Sequence, residues 1–367
     1  MSAVEKLEEI QGKNKSIICL GLDLDPRRMP TEFTKSIKGM YDFVMEIVEA
    51  TKDMVCAYKP NLAFYENKGA EGISLLTSIA EHMPEEVVVI LDGKRGDIGN
   101  TASFYAEAMY QKWKADWVTL SPYMGYDSMR PFLEYEDKGI FVLCLTSNTG
   151  SKDFQHLVVE GKPLYQVVAE KVAYWNKDNN CGLVVGATQP EHLKGLRSIA
   201  QNMPLLIPGV GAQGGSLEKA AVYGTDNFKK LAVINVCRSV LYASNGPDFA
   251  QRAREELKKL NDTVAGLRSG EITLDAPPPP EVEESEPAVE EPPKKEWKLP
   301  PIPDLPFMKK KPEQPQEPQG DQSGNQGEQS RDQDYQRQDN RQRDFRGRNN
   351  RDDRHGRHQN RPWRRDG

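Results

Sequence analysis

The sequence predicts a (β/α)8 barrel followed by a long polar tail. Over roughly the first 270 residues, eight short apolar runs alternate with amphipathic stretches, and each run is nearly continuous in Val, Ile and Leu. Strands of this kind are buried on both faces, as parallel strands are. Eight such units without an extended gap favour a closed barrel, and an open doubly wound sheet is the alternative.

The predicted strands follow one another at short intervals, with helical patterns between them. The strands are SIICLGLD at 16–23, MVCAYKPN at 54–61, EVVVILD at 86–92, WVTLSP at 117–122, IFVLCLTS at 140–147, CGLVVGA at 181–187, PLLIPGV at 204–210 and LAVINVCRS at 231–239. Helices are expected between them, for example at 101–113, 163–175 and 190–201. The predicted barrel therefore spans residues 1–270.

Composition points to a soluble protein of a reducing compartment. The chain has 367 residues and a formal net charge of −6, which does not in itself indicate a nucleic-acid partner. Its five cysteines are scattered and lie mostly in apolar runs, which is typical of reduced thiols rather than of a disulfide framework. The first residues lack the apolar core of a signal peptide, and no apolar run approaches the ~18 residues of a membrane span. We expect a cytoplasmic protein with no membrane partner.

Composition changes after the predicted barrel. Residues 271–320 are rich in proline and acidic side chains, which predicts an extended linker. Residues 321–367 are rich in Gln, Asp and Arg with almost no aliphatic side chains, so we expect disorder. The last part interleaves arginine with Phe345 and Trp363, a pattern typical of weak RNA binding. A solvated tail without a partner is the alternative, because acidic residues dilute its positive charge.

Charged residues gather at the ends of the predicted strands, where the active site of such a barrel lies. In LDGKRGDIGN at 91–100, Asp92 and Lys94 are two positions apart on a strand and point to the same side. Lys59 ends the neighbouring strand, and Asp97 follows in the loop. An alternating array of two lysines and two carboxylates would keep all of these groups charged. A structural salt-bridge network is the alternative, but four such groups at strand ends favour catalysis.

A second cluster predicts a phosphate site. The glycine-rich PGVGAQGG at 208–215 follows the seventh predicted strand, and Arg238 ends the eighth. Loops in these positions often bind phosphate through backbone N–H groups, and an arginine adds a bidentate charge. His82, His156 and His192 show no metal-ligand spacing, so neither a metal nor a cofactor is expected. The two clusters together indicate a phosphorylated substrate whose other end meets lysines and carboxylates.

Several of these motifs resemble one enzyme family. They are D-G-K-R-G-D-I-G-N-T at 92–101, Y-K-P-N at 58–61, T-S-N-x-G-S at 146–151 and I-P-G-V-G-A-Q-G-G at 207–215. Over about residues 10–268 the chain resembles orotidine 5′-phosphate decarboxylase, in the longer bacterial branch of that family. The resemblance implies decarboxylation of orotidine 5′-monophosphate to UMP in de novo pyrimidine biosynthesis, without a metal or cofactor. It also implies a homodimer with shared active sites.

The resemblance further implies a role for each site residue. Lys94 is similar to the lysine that protonates C6 of the pyrimidine as CO2 leaves, and Asp92 to the carboxylate that faces the substrate carboxylate. Lys59 and Asp97 would complete the charge array and reach the ribose hydroxyls. The other implied substrate contacts are Asp23 at the ribose, Thr101 supplied with Asp97 to the neighbouring subunit, Ser147 at the pyrimidine ring, and Gln213 and Arg238 at the phosphate.

Two residues of this chain differ from those of related enzymes. Family members often have glycine before the arginine that ends the eighth strand, and this chain has Cys237. Sister enzymes that act on 3-keto-gulonate 6-phosphate, or join formaldehyde to ribulose 5-phosphate, also resemble the chain at Asp92, Lys94 and Asp97. They use Mg²⁺ and carry a metal-binding glutamate where Lys59 stands, and they are the alternative function.

Overall fold

The computed structural model describes residues 1–211 and 214–274. The role predicted for Gln213 and the predictions of a linker and a disordered tail from residue 275 onward lie outside the described residues.

Eight parallel strands close a barrel. The described residues form ten strands in all. In chain order they are β1 (Ile18–Gly21), β2 (Ala57–Lys59), β3 (Val88–Arg95), β4 (Trp117–Leu120), β5 (Gly139–Leu145), β6 (Val158–Val159), β7 (Lys162–Pro163), β8 (Cys181–Val185), β9 (Leu205–Pro208) and β10 (Ala232–Val236). The barrel runs in the order β1-β10-β9-β8-β5-β4-β3-β2, and β6 and β7 form a separate antiparallel pair. Because β1 pairs with both β2 and β10, the predicted closed barrel is confirmed and the open sheet is wrong.

Helices connect the strands on the outside of the barrel, as the alternating pattern predicts. They are α1 (Ala3–Lys13), α2 (Ile37–Thr51), α3 (Ala63–Glu66), α4 (Gly69–His82), α5 (Gly99–Glu107), α6 (Tyr126–Leu133), α7 (Leu164–Trp175), α8 (Pro190–Ile199), α9 (Leu217–Gly224), α10 (Arg238–Leu241) and α11 (Phe249–Ser269). The helix expected at 101–113 is α5 followed by a π-helical turn at Ala108–Lys112. Within the described part of the chain, every helix is too short or too polar to cross a membrane.

The strands carry apolar side chains on both faces, and both faces are buried in the core. All positions of β1, β4 and β8 are buried. In the core, the rings of Trp117 and Phe141 pack at a tilt of 31° with their centroids 4.6 Å apart. A Cβ atom at Gly139 would collide with the Trp117 ring, so glycine is required at that position. The tightly packed strands form a stable frame for the polar residues at their carboxyl ends.

Candidate active site

The centre of the site is a carboxylate held between two lysines. Asp92 lies 2.7 Å from Lys94 Nζ through Oδ1 and 3.1 Å from Lys59 Nζ through Oδ2. The side chain of Lys59 is 4% exposed and that of Asp92 is 11% exposed, whereas the Lys94 side chain is 48% exposed. The structure thus brings three of the predicted residues together, with one lysine buried and the other open to solvent.

Asp92 and Lys94 of β3 meet across a β-bulge. Leu91 lies opposite Val118 and Arg95 lies opposite Leu120, so the three residues at 92–94 face the single residue Thr119. Lys94 takes a left-handed conformation with φ 46°. Non-glycine residues adopt this conformation rarely, and it costs of order 1–3 kcal/mol when it is held in place. The regular strand expected from the sequence is therefore wrong at Lys94, although Asp92 and Lys94 do meet.

Thr119 on β4 connects both residues of the bulge, and sequence reasoning missed it. Its hydroxyl donates to Asp92 Oδ1 at 2.9 Å and accepts from the Lys94 backbone N–H at 2.9 Å. The one available signal was a polar residue inside the apolar strand of residues 117–120.

Mutual charge keeps this cluster ionised. Burial alone would raise the pKa of Asp92, but the ammonium groups of Lys59 and Lys94 outweigh it and hold that pKa well below its usual range. Burial alone would lower the pKa of Lys59, but the carboxylates of Asp92 and Asp23 outweigh it and raise that pKa. The Lys94 ammonium is the half-exposed positive group of this cluster, so it is the one that an anionic substrate group can reach.

Among the described residues, neither Asp97 nor Thr101 makes a hydrogen bond or ion pair with this cluster. The Asp97 carboxylate accepts a hydrogen bond of 2.8 Å from the Ile98 backbone N–H, and within residues 1–211 and 214–274 it makes no ion pair. Thr101 is exposed in the first turn of α5. Within the described residues of a single chain, the expected pairing of all four charged groups is therefore incomplete, because Asp97 has no lysine partner there.

Two further predicted residues line the strand ends. Asp23 follows β1, and its Oδ1 is buried without a hydrogen-bond partner among the described residues. A buried carboxylate oxygen of this kind is suited to accept a hydrogen bond from a ligand hydroxyl. Ser147 follows β5 and is half-buried, and a Cβ atom at Gly186 would lie 2.9 Å from its backbone nitrogen. Close packing against β8 therefore fixes the position of Ser147.

The glycine-rich loop and Arg238 stand at the ends of β9 and β10. Gly209 and Gly211 have φ values of 99° and 74°, so the loop folds back on itself. It is closed by hydrogen bonds from Gly215 N–H to the Gly209 carbonyl at 3.0 Å and from Gly214 N–H to the Gly211 carbonyl at 2.7 Å. Arg238 is exposed as the first residue of α10, and within the described ranges it makes no ion pair. Its guanidinium is therefore available for an anion.

Cys237 is accommodated by a glycine on the first strand. A Cβ atom at Gly21 would lie 2.7 Å from the Cys237 Cβ, so the absence of a side chain on β1 makes room for the one on Cys237. Burial raises the pKa of the Cys237 thiol to about 12, so the group is neutral and unreactive at physiological pH. The cysteine before Arg238 is thus a packing residue.

Comparison with known proteins identifies the family. The model of the orotidine 5′-phosphate decarboxylase / HUMPS family matches residues 16–253. The chain belongs to this family. The orotidine 5′-phosphate decarboxylase of Dehalococcoides mccartyi (strain ATCC BAA-2100) is 49% identical over 272 residues, which cover 73% of this chain and 99% of that protein. The enzyme of that name from Cupriavidus metallidurans is 46% identical over 274 residues, which cover 74% of this chain and 100% of that protein.

Solved structures of the family agree with the fold. The structure of Leishmania donovani OMP decarboxylase matches with a TM-score of 0.64 and 37% sequence identity, over 72% of this chain and 99% of that chain. The barrel therefore matches these relatives over nearly their whole length.

Proposed function

We propose that this protein decarboxylates orotidine 5′-monophosphate to UMP, as a step of pyrimidine biosynthesis, with Lys94 as the proton donor. The observation that carries the proposal is the Lys94–Asp92–Lys59 cluster at the strand ends of a family member. The family accounts for the overall reaction and the resemblance implies the roles of the residues, and the contacts and charges of this chain support those of Lys94, Asp92 and Lys59.

Lys94 has the properties that the difficult step requires. When the bond between C6 and the carboxyl group breaks, the electron pair stays on C6 in the ring plane, where no adjacent π system spreads it. A nearby ammonium group stabilises this charge and then transfers a proton to C6. The Lys94 side chain is half-exposed, so its Nζ can reach a bound pyrimidine. The neutral lysine regains its proton from water after the reaction.

Asp92 and Lys59 support this transfer. A carboxylate beside the departing carboxylate repels it, and the repulsion disappears when neutral CO2 forms. Because the buried Lys59 holds Asp92 from the other side, Asp92 stays ionised and in place when Lys94 moves toward the substrate.

The remaining contacts bind the rest of the nucleotide. Arg238 and the glycine-rich loop at 209–215 are assigned to the phosphate, because a guanidinium without an ion pair among the described residues favours an anion and glycines let the loop backbone approach it closely. By resemblance to the family, Asp23 is assigned to the ribose and Ser147 to the pyrimidine ring. Gln213, assigned to the phosphate by resemblance, lies outside the described residues. Binding energy from the remote phosphate can help to position the reacting end.

Asp97 and Thr101 are assigned to the site of a second copy in a homodimer. Both lie beside exposed apolar side chains on and around α5 and α6, which a soluble protein usually covers. These side chains are Ile98 at 53% exposure, Phe104 at 65%, Tyr105 at 36%, Tyr123 at 90%, Met124 at 42% and Tyr126 at 44%. A second copy packed on this surface would shield it from water and add the carboxylate that a single chain does not supply.

The magnesium-dependent sister reactions are the alternative, and Lys59 argues against them. Its Nζ lies 3.1 Å from Asp92, so a Mg²⁺ ion bound by that carboxylate would lie beside a buried ammonium group. Loss of activity on addition of EDTA, restored by Mg²⁺, would favour the sister reactions.

A spectroscopic assay in EDTA tests the proposal. The absorbance of orotidine 5′-monophosphate is followed with the wild type and with Lys94→Ala. We expect rapid turnover by the wild type and a loss of about a thousandfold or more in the variant. Lys258→Ala is the matched control, because Lys258 is ion-paired with Asp262 on the outer helix α11. No turnover by the folded wild type would contradict the proposal.

Two further proposals concern the location of the protein and the arginine-rich end of its chain. A cytoplasmic location is supported by five free cysteines, four of them buried. Weak RNA binding is proposed for the arginine-rich end of the tail, outside the described residues. A salt-dependent RNA shift that is lost on truncation after residue 276 would support RNA binding, and no shift at low salt would contradict it.

A further inference from the structure

Thr119 is a buried polar residue in an otherwise apolar strand. It is 1% exposed, and its neighbours on β4 are Trp117, Val118 and Leu120. A buried hydroxyl is costly unless its hydrogen-bonding groups are satisfied, so its partners explain its presence. Here both partners belong to the proposed catalytic cluster.

The two hydrogen bonds of Thr119 have fixed directions. Its hydroxyl has one proton, and the Lys94 backbone N–H can only donate, so the hydroxyl accepts from Lys94 and donates to the Asp92 carboxylate. The bulge takes the Lys94 amide out of the regular ladder with β4, and the Thr119 hydroxyl is its acceptor. One side-chain atom therefore holds the backbone of the lysine and the carboxylate of the aspartate.

The backbone of Asp92 is anchored independently on its other side. Asp92 N–H donates to the Pro60 carbonyl at 3.0 Å, and Leu62 N–H donates to the Asp92 carbonyl at 3.1 Å. These bonds join β3 to the segment after β2. On the β4 side, the contact that reaches the Asp92 carboxylate comes from Thr119. Without the hydroxyl, the half-exposed Lys94 ammonium is the one partner that Asp92 Oδ1 keeps among the described residues.

We propose that Thr119 is a positioning residue that sets the distance and angle between the Asp92 carboxylate and the Lys94 side chain. The inference rests on the proposed function, in which Lys94 must meet C6 while Asp92 faces the departing carboxylate. Thr119 acts through these two residues. The phosphate is assigned to Arg238 and the loop at 209–215, on the opposite side of the barrel mouth, so Thr119 has no role in binding it. Its loss therefore affects the chemical step more than the binding of the nucleotide.

Steady-state kinetics on Thr119→Val and Thr119→Ser test the inference. Valine keeps the shape of threonine without the hydroxyl, and serine keeps the hydroxyl. We expect Thr119→Val to lower kcat by about 10- to 100-fold, because small displacements of reacting groups cost that much, with KM changed by less than about threefold. Thr119→Ser should keep kcat within about threefold of the wild type.

Thr51→Val is the matched control. Thr51 is also buried, and its hydroxyl contacts the Ile47 carbonyl at 2.6 Å and the Tyr58 hydroxyl at 2.8 Å, away from the charged cluster. Removing this hydroxyl should lower thermal stability and leave kcat unchanged. Comparing Thr51→Val with Thr119→Val therefore separates a fall in kcat caused by lower stability from one caused by misplaced Asp92 and Lys94.

The outcomes distinguish this inference from the proposed function. If the folded wild type does not decarboxylate orotidine 5′-monophosphate, the proposed function fails and Thr119 has no such role. If the wild type is active and Thr119→Val retains its kcat, the positioning role is overturned. A Thr119→Ser variant as slow as Thr119→Val also overturns it, because the hydroxyl would then not be the determinant. If Thr119→Val does not fold, Thr119→Ala decides by the same comparison.

Discussion

Asp92→Asn should destabilise the folded protein much more than Lys94→Ala. Asp92 is the close counter-charge of two lysines, and one of them, Lys59, is almost completely buried. Replacing the carboxylate with a neutral amide leaves the Lys59 ammonium in the barrel mouth without its nearest opposite charge. Replacing Lys94 removes a half-exposed charge and leaves the buried pair intact.

The structure sets the size of the difference. Removing one partner of a buried ion pair costs about 3–5 kcal/mol, because the other charge remains buried and unpaired. The amide oxygen of asparagine can still accept a hydrogen bond, so the expected loss is at the lower end, about 3 kcal/mol. The half-exposed pair with Lys94 is worth less than about 1 kcal/mol. For a barrel of this size, a loss of 3 kcal/mol corresponds to a fall in Tm of roughly 6–12 °C.

The effect should depend on pH in one direction. The pKa of Asp92 is lower in the folded protein than its ordinary value of 3.8. The carboxylate therefore contributes its full stabilisation above that ordinary value, and the contribution is lost as the pH falls through the lower, folded-state pKa. The difference in stability between the wild type and Asp92→Asn should be constant from pH 7 to about 5 and narrow below about 4.

Urea unfolding without ligands measures these differences. The wild type, Asp92→Asn and Lys94→Ala are compared at pH 7, with Lys258→Ala as a surface-charge control, and unfolding is repeated at lower pH for the first two. Equal losses in Asp92→Asn and Lys94→Ala would refute the reasoning, because the buried and half-exposed pairs would then contribute alike. An Asp92→Asn variant as stable as the wild type would refute it as well.

Three further predictions concern other parts of the site. Arg238→Ala should lower kcat/KM about 10- to 150-fold by loss of a charge-assisted contact to phosphate, and unchanged steady-state kinetics would contradict that role. Gly21→Ala should cost about 1–3 kcal/mol in urea unfolding, because its Cβ would lie 2.7 Å from that of Cys237. The double variant with Cys237→Gly should recover most of that loss, and simple additivity would disprove the contact. Phe104→Glu should convert a dimer to a monomer in sedimentation and reduce activity, whereas a dimer that persists would place the interface elsewhere.

The sequence alone determines the barrel and most of its charged centre. Doubly buried apolar runs alternating with helices specify parallel strands, because each strand must be covered on both faces. The carboxyl ends of parallel strands meet at one edge, so Lys59 and the pair on β3 were expected to lie together, and they do. These inferences succeed because they depend on local periodicity and on a general rule of the fold.

Only the tertiary structure decided how the site is held. The bulge at 92–94 depends on the register between β3 and β4, and it alone gives Thr119 two functional partners. The contact of Cys237 with Gly21 likewise requires β10 to lie beside β1 when the barrel closes. Asp97 makes no ion pair with the charged cluster among the described residues, although it is only three positions from Lys94. Such features depend on contacts between residues distant in the chain or on an irregular backbone, so neither periodicity nor spacing predicts them.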